Sequence, residues 1–294
     1  MGWPSSLTYR EIAARNVARS VGILACYGDV ETAAAMFAKN PALAADPDAL
    51  TQAAGNGDEA FVRLMLRYQP GLARRIAVVA KTRELTEFLF RTGMDPNRPN
   101  WLRITPLHEF AEQGAIESAA IFIDHGADLH ARDEELRSTP LGYAAKYGKT
   151  LMVEFLLRRG AKPSLPDDPP WATPMAWAIR RGHDEIVRLL DRFEADGSLP
   201  PLPTLAHFES LVNDFVEAYG SENDSDALQR IAAHFQLRRL SNADQLRSQV
   251  RARLGLRPDD DGQRTLSLAD AQSLVARGHG FESWSQLVDA VEND

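Results

Sequence analysis

The chain has 294 residues, 44% apolar and 25% charged, a balance that excludes a wholly disordered, collagenous or membrane-embedded protein and leaves ample length for a buried core. Its 33 basic and 41 acidic residues give a net charge of −8, and neither the part before residue 200 nor the part after it has an excess of cations to hold a polyanion. The single cysteine, Cys26, cannot form an intramolecular disulfide, and no leader or apolar stretch of membrane-spanning length occurs, so a reducing, cytoplasmic setting is expected. Only five of the 33 cations are Lys, a usage we associate with a GC-rich bacterial genome.

In chain order, Leu24-Ala25-Cys26-Tyr27-Gly28 and Ala53-Ala54-Gly55-Asn56-Gly57 each precede an apolar helical face, Ala33 to Phe37 and Phe61 to Leu66. Val78-Val79-Ala80-Lys81, followed by Leu85, Phe88, Leu89 and Gly93, predicts a third unit of the same kind, with Arg83 where the others have Gly. Beyond it the pattern sharpens. Thr105-Pro106, Thr139-Pro140 and Thr173-Pro174 recur 34 residues apart, and Gly114, Gly148 and Gly182 follow each Thr at a constant offset of nine. Thr caps the orphan amides of a helix and Pro suits its first position, so each pair starts a helix. Apolar residues at helical spacing, such as Val153, Phe155, Leu156 and Leu157, predict a second helix in each unit, and Gly93, Gly126 and Gly160 end these second helices. About six helix pairs thus fill residues 17 to 194.

Residues 197–204 carry three prolines and form a joint. Past it, the faces Leu205, Phe208, Leu211, Val212, Phe215 and Tyr219, then Leu228, Ile231 and Phe235, then Leu246, Val250 and Leu254, predict three more helices. The polar segment 257–264 is expected to be a mobile loop. Ser267 caps a last helical pair that turns at Gly278 to Gly280 and continues through Phe281, Trp284, Leu287 and Val291.

Thr105-Pro106-Leu107-His108, then Gly114, then Gly126-Ala127-Asp128-Leu129-His130-Ala131, resembles an ankyrin repeat, most clearly over 95–190, more weakly over 17–94 and not after 200. The chain departs from that pattern in Gly142 and Ala176, which stand where His108 does, and in a 34-residue period. Tetratricopeptide arrays share this period, but Thr-Pro at the first helix and Gly-Ala-Asp after the second speak against them. The resemblance implies an all-α fold: an ankyrin-repeat solenoid over 1–196, the joint 197–204, and a smaller helical domain or cap over 205–294. The helix at 205–219 is expected to cover the last unit's Met175, Ile179, Ile186 and Leu190. Leu268 to Val291, with Ala276-Arg277, Gly280-Phe281 and Trp284, is similar to a short tail found on ankyrin and glyoxalase-related proteins, to which we attach no chemistry.

Several chemical patterns have bland readings. Gly55-Asn56-Gly57-Asp58-Glu59-Ala60 has dinucleotide-loop glycine spacing, but a helical Ala53-Ala54 precedes it where a strand is needed. Asp259, Asp261 and Gly262 fit a calcium loop only in part, because Arg257 and Leu268 occupy ligand positions. His183-Asp184-Glu185 lacks the second His of a zinc helix. Met1-Gly2 with Ser6 and Asn223-Asp224-Ser225 match minimal modification patterns and are set aside. His108 is expected to hydrogen-bond Thr105 rather than act as a base. No cofactor, metal or catalytic residue is expected. The final helix pair suggests helix-turn-helix geometry, but three Arg face eight acids from 257 on, so no nucleic-acid partner is expected.

What remains is surface. In a stacked array the loops and first helices line up as one concave face. Here it collects Trp101, Arg103, Arg137 and Trp171 from loops, and Tyr143, Lys146, Tyr147, Trp177, Arg180 and Arg181 from helices, beside Glu109, Glu112 and Gln113. Trp, Tyr and Arg dominate binding hot spots, so this face is expected to bind another protein. The alternative is that Trp101 and Trp171 pack their loops while Tyr143 and Trp177 stack on each other. The expected protein is a monomeric, non-enzymatic scaffold or adaptor; the alternative is that the C-terminal helices are an enzymatic or regulatory module that the repeats address to a partner.

Overall fold

The computed structural model of the chain describes residues 17–221, 225–237, 240, 242–254 and 265–293. The expected loop at 257–264, Met1-Gly2 with Ser6, and Asn223 lie outside them. Among the described residues there are sixteen α-helices, two short 3-10 segments and no strand. The chain divides into two compact units, Met1–Arg98 and Pro99–Asp294.

The first unit holds α1 (Val17–Tyr27), α2 (Val30–Lys39), α3 (Pro47–Asn56), α4 (Glu59–Tyr68) and α5 (Arg83–Arg91), with 3-10 turns at Pro41–Ala44 and Pro70–Arg75. Aspartates start three of the helices: Asp29 accepts from the Thr32 amide (3.0 Å), Asp46 from Ala49 (3.1 Å) and Asp58 from Phe61 (3.0 Å). First helix packs on first helix (α1 on α3) and second on second (α2 on α4), closing over Leu24, Phe37, Leu50, Phe61 and Met65, all fully buried. Each such side chain contributes about 2 kcal/mol by leaving water.

The third unit differs from expectation, because residues 76–82 are not helical. Ile76, Val78 and Val79 are β-branched and lose side-chain freedom in a helix. The extended segment instead spends its amides on neighbours: Ala80 donates to Thr86 Oγ1 (3.0 Å) and Lys81 to the Ala54 carbonyl (3.0 Å). Only α5 represents that unit's helix pair.

The second unit begins with three complete pairs: α6 (Pro106–Gln113) with α7 (Ile116–Asp124), α8 (Pro140–Lys146) with α9 (Thr150–Arg158), and α10 (Pro174–Arg181) with α11 (Asp184–Asp196). Thr139 and Thr173 cap as expected, accepting from Gly142 (3.3 Å) and Ala176 (3.1 Å). Gly114 and Gly182 end their helices at φ 74° and 70°, the left-handed region that side chains avoid.

The C-terminal helices are α12 (Leu205–Gly220), α13 (Asp226–His234), α14 (Ala243–Arg253), α15 (Leu268–Gly278) and α16 (Trp284–Asn293). They close on their own core, with Phe208, Ile231, Ala271, Val275 and Leu287 fully buried. Buried Asp214 is matched by a forked pair with Arg230, whose Nη2 lies 2.6 Å from Oδ1. Arg247 donates to the carbonyls of Tyr219 (3.1 Å) and Ser221 (2.8 Å), closing the end of α12. The expected cover for the last repeat is corrected here. The apolar face of α12 packs on α13, α14 and α15, and of the last unit's face Ile186 and Leu190 are buried while Ile179 stays 63% exposed. Contact with the repeats includes α15 and the turn after it, and the end of α13 shares a cavity with Tyr147, Gly148 and Lys149. Arg277 pairs with Glu117 (3.6 Å), and the Gly280 backbone fits so closely that a Cβ there would lie 2.4 Å from Phe155.

Candidate protein-binding face

Successive units are tied by hydrogen bonds to the loop of the next unit. His108 accepts from the Thr105 amide at Nδ1 (3.2 Å), so Nε2 carries the proton and donates to the Ser138 carbonyl (3.1 Å) one unit on. Burial holds His108 below its usual pKa, keeping this neutral tautomer. One unit later Gly142 stands where His108 did, and the link is made differently: Ser138 Oγ donates to the Ala172 carbonyl (2.6 Å) and accepts from Trp177 Nε1 (2.8 Å). A side chain at Gly142 would collide with this arrangement, its Cβ 2.5 Å from Ser138 Oγ.

This network decides where the expected face residues lie. Tyr143 and Trp177, expected at the solvent surface, are buried at 4% and 6% exposure. Nor do they stack on each other: Tyr143 meets His108 edge-on (4.9 Å between centroids), and Trp177 is held by Ser138. Both support the face from beneath. Burial raises the Tyr143 phenol above its normal pKa, and Asp133 beside it adds to the effect. Tyr147 is half-buried and raised for the same reason, with Glu112 adding and Arg181 opposing.

Lys146 Nζ lies over the rings of Tyr147 (5.1 Å) and Trp177 (5.0 Å), and the Arg180 guanidinium over Trp177 (4.6 Å) while donating to the Trp171 carbonyl (3.3 Å). Such stacking holds a cation in place without neutralising it. Arg180 and Arg181 are exposed, as are Trp171 (46%) and Trp101 (84%), so neither loop tryptophan is packed away. Arg103 and Arg137, exposed and 34 residues apart, take left-handed backbone at φ 59° and 53°. On α6, burial and then repulsion from Glu112 raise the Glu109 carboxyl.

Other expected patterns resolve structurally. Gly55 is inside α3 and Gly57 is its left-handed cap, so that glycine run ends a helix. His183 Nε2 meets the Lys146 carbonyl (3.3 Å). Among the described residues no group of three or more His, Cys, Asp or Glu is placed to hold a metal ion, and no helix is long and apolar enough to cross a membrane.

One cluster was not foreseen. His279 donates from Nδ1 to the Val275 carbonyl (2.7 Å), which leaves Nε2 to accept from His234 Nε2 (2.8 Å). Burial lowers both pKa values to about 4, with the neighbouring imidazoles adding to the effect. The residues are 45 apart, one at the end of α13 and the other in the turn after α15, so no local pattern announces them. A cavity of about 400 Å³ beside His279 is lined by Phe155, Phe281, Arg158 and Arg159, but Arg159 is engaged by Asp124 and Arg158 by the Pro200 carbonyl.

Stacked helix pairs joined by hydrogen bonds to the next unit's loop and presenting an aromatic and cationic face define a repeat scaffold. The family model described as ankyrin repeats, in three copies, matches residues 75–167 and 133–199, and this stretch of the chain is built of ankyrin repeats. Repeats of this kind are generally protein-protein interaction modules. No curated protein matches the chain.

Proposed function

We propose that the chain is a non-enzymatic scaffold or adaptor that binds a partner protein through the first helices and loops of residues 99–181. The observation that carries this reading is the set of exposed Trp and Arg side chains and half-buried Tyr147 gathered there on a base of buried aromatics. The left-handed Arg103 and Arg137 support it, since non-glycine residues are kept in that conformation at a cost, often where a side chain must be presented. The buried titratable groups support the non-enzymatic part: His108 and the His234–His279 pair have hydrogen-bond partners that account for them structurally.

The test is capture of the partner from source cells by the full chain and by Tyr147→Ala/Trp171→Ala/Arg181→Ala. Trp177 is left intact because its loss would open the core. A variant that unfolds at the same temperature but loses the partner supports the reading; undiminished capture refutes it.

A second reading makes the C-terminal helices a regulatory module, and their separate core, docked through the Gly280 turn, favours it. Under this reading a chain lacking 204–294 still captures the partner but loses its downstream effect.

A further inference from the structure

We infer that the partner segment seated on this face is acidic, and that its carboxylates meet Lys146, Arg180 and Arg181. The inference rests on the binding face proposed above and adds the chemistry of what it holds.

Three positions of the first helices repeat in register every 34 residues, and charge changes steadily along them. Glu109, Glu112 and Gln113 on α6 become Tyr143 and Lys146 on α8 and Tyr147 at its C-terminal cap, then Trp177, Arg180 and Arg181 on α10. The face thus runs from acidic to basic within three units, although the whole chain is acidic. Among the described residues none of the three cations has a carboxylate within ion-pairing distance.

They are also held ready. Lys146 Nζ and the Arg180 guanidinium lie 5.0 Å and 4.6 Å from the centroid of the same Trp177 ring. That ring is fixed by its bond to Ser138, and one Arg180 nitrogen is spent on the Trp171 carbonyl, leaving the other donors of the fork free. Two like charges held at one ring repel each other, and an anion that meets them relieves this while receiving charge-assisted hydrogen bonds. Arg181 lies close enough to the Tyr147 phenol to act on it electrostatically and widens the site. Glu109 and Glu112 at the other end disfavour a uniform polyanion such as nucleic acid and suit a peptide whose acidic end points to α10.

The experiment selects binders to the full chain from a displayed library of short random peptides. The selected peptides are then titrated against the wild type, Lys146→Gln/Arg180→Gln, Arg181→Gln alone, Glu109→Gln/Glu112→Gln and Tyr147→Ala/Trp171→Ala, with a DNA oligonucleotide alongside. The expected pool is rich in Asp and Glu, weakened about tenfold or more by the double cation variant, weakened less by Arg181→Gln, and weakened by added salt. Arg181→Gln alone supplies the reading if the double variant fails to fold. Acid-poor peptides that depend on Tyr147 and Trp171 but not on the cations overturn this inference and leave the binding face standing. Peptides indifferent to every variant overturn both. An oligonucleotide bound more tightly than the acidic peptides also overturns it.

Discussion

Ser138 Oγ donates to the Ala172 carbonyl across 2.6 Å, replacing the link that His108 makes to Ser138 itself one unit earlier. The array keeps its bond to the next unit's loop by passing the donor from a helix residue to a loop residue, and Gly142 makes room for the change. Ser138→Ala strands a buried indole N–H and a carbonyl, and we expect a loss of about 2 kcal/mol in the unfolding free energy obtained from urea titration. Gly142→Ala alone also destabilises through its clash. In the Ser138→Ala background it becomes neutral or stabilising, because alanine is the better helix former. Additive losses would contradict the account.

The dock between α15 and the repeats gives a second prediction. Gly280→Ala meets Phe155 at 2.4 Å and Ile116 at 3.3 Å, whereas Gly126, at a similar φ of 88°, has nothing within 4 Å of its Cβ position. Backbone strain is common to both substitutions and costs about 1 kcal/mol. Only Gly280→Ala should also raise protease cleavage at 197–204 and hydrogen exchange in α7 and α9. Equal behaviour of the two variants contradicts this docking mode.

Acid should unfold the protein partly through its histidines. The folded-state pKa values of His234 and His279 lie near 4, and that of His108 is also lowered, so the unfolded chain binds more protons below the ordinary value of 6.5. Their contribution is therefore complete above about pH 6.5 and is lost as pH falls from there to about 4. We expect the His234–His279 pair to account for a loss on the order of 2 kcal/mol between pH 7 and pH 4.5. His279→Gln removes the titrating group and should flatten the stability profile in that window. An unchanged slope in the variant refutes the assignment.

Arg103→Gly and Arg137→Gly relieve left-handed strain. Each should raise stability by about 0.5 to 1 kcal/mol in thermal unfolding while weakening partner capture. Stabilisation with undiminished capture would make these arginines incidental to binding.

The repeat was legible because its marks answer local needs: Thr and Pro start a helix wherever they stand, and Gly114 or Gly182 ends one through its own backbone. Val78-Val79-Ala80-Lys81 is extended although the period predicts a helix there, and the β-branched Ile76, Val78 and Val79 favour the extended form. Tyr143 and Trp177 fall in register with exposed Glu109, yet their rings are long enough to lie down under Lys146 and Arg180. Register alone does not reveal that. The Ser138–Trp177 bond and the His234–His279 pair join residues distant in the chain, and no spacing rule reaches them.

Hydrogen–deuterium exchange of the full chain, alone and with its captured partner, tests the central claim most directly. The account predicts protection on binding at 101–103, 135–137, 143–147, 171 and 180–181. Protection confined to 205–293, with those segments unchanged, would contradict it.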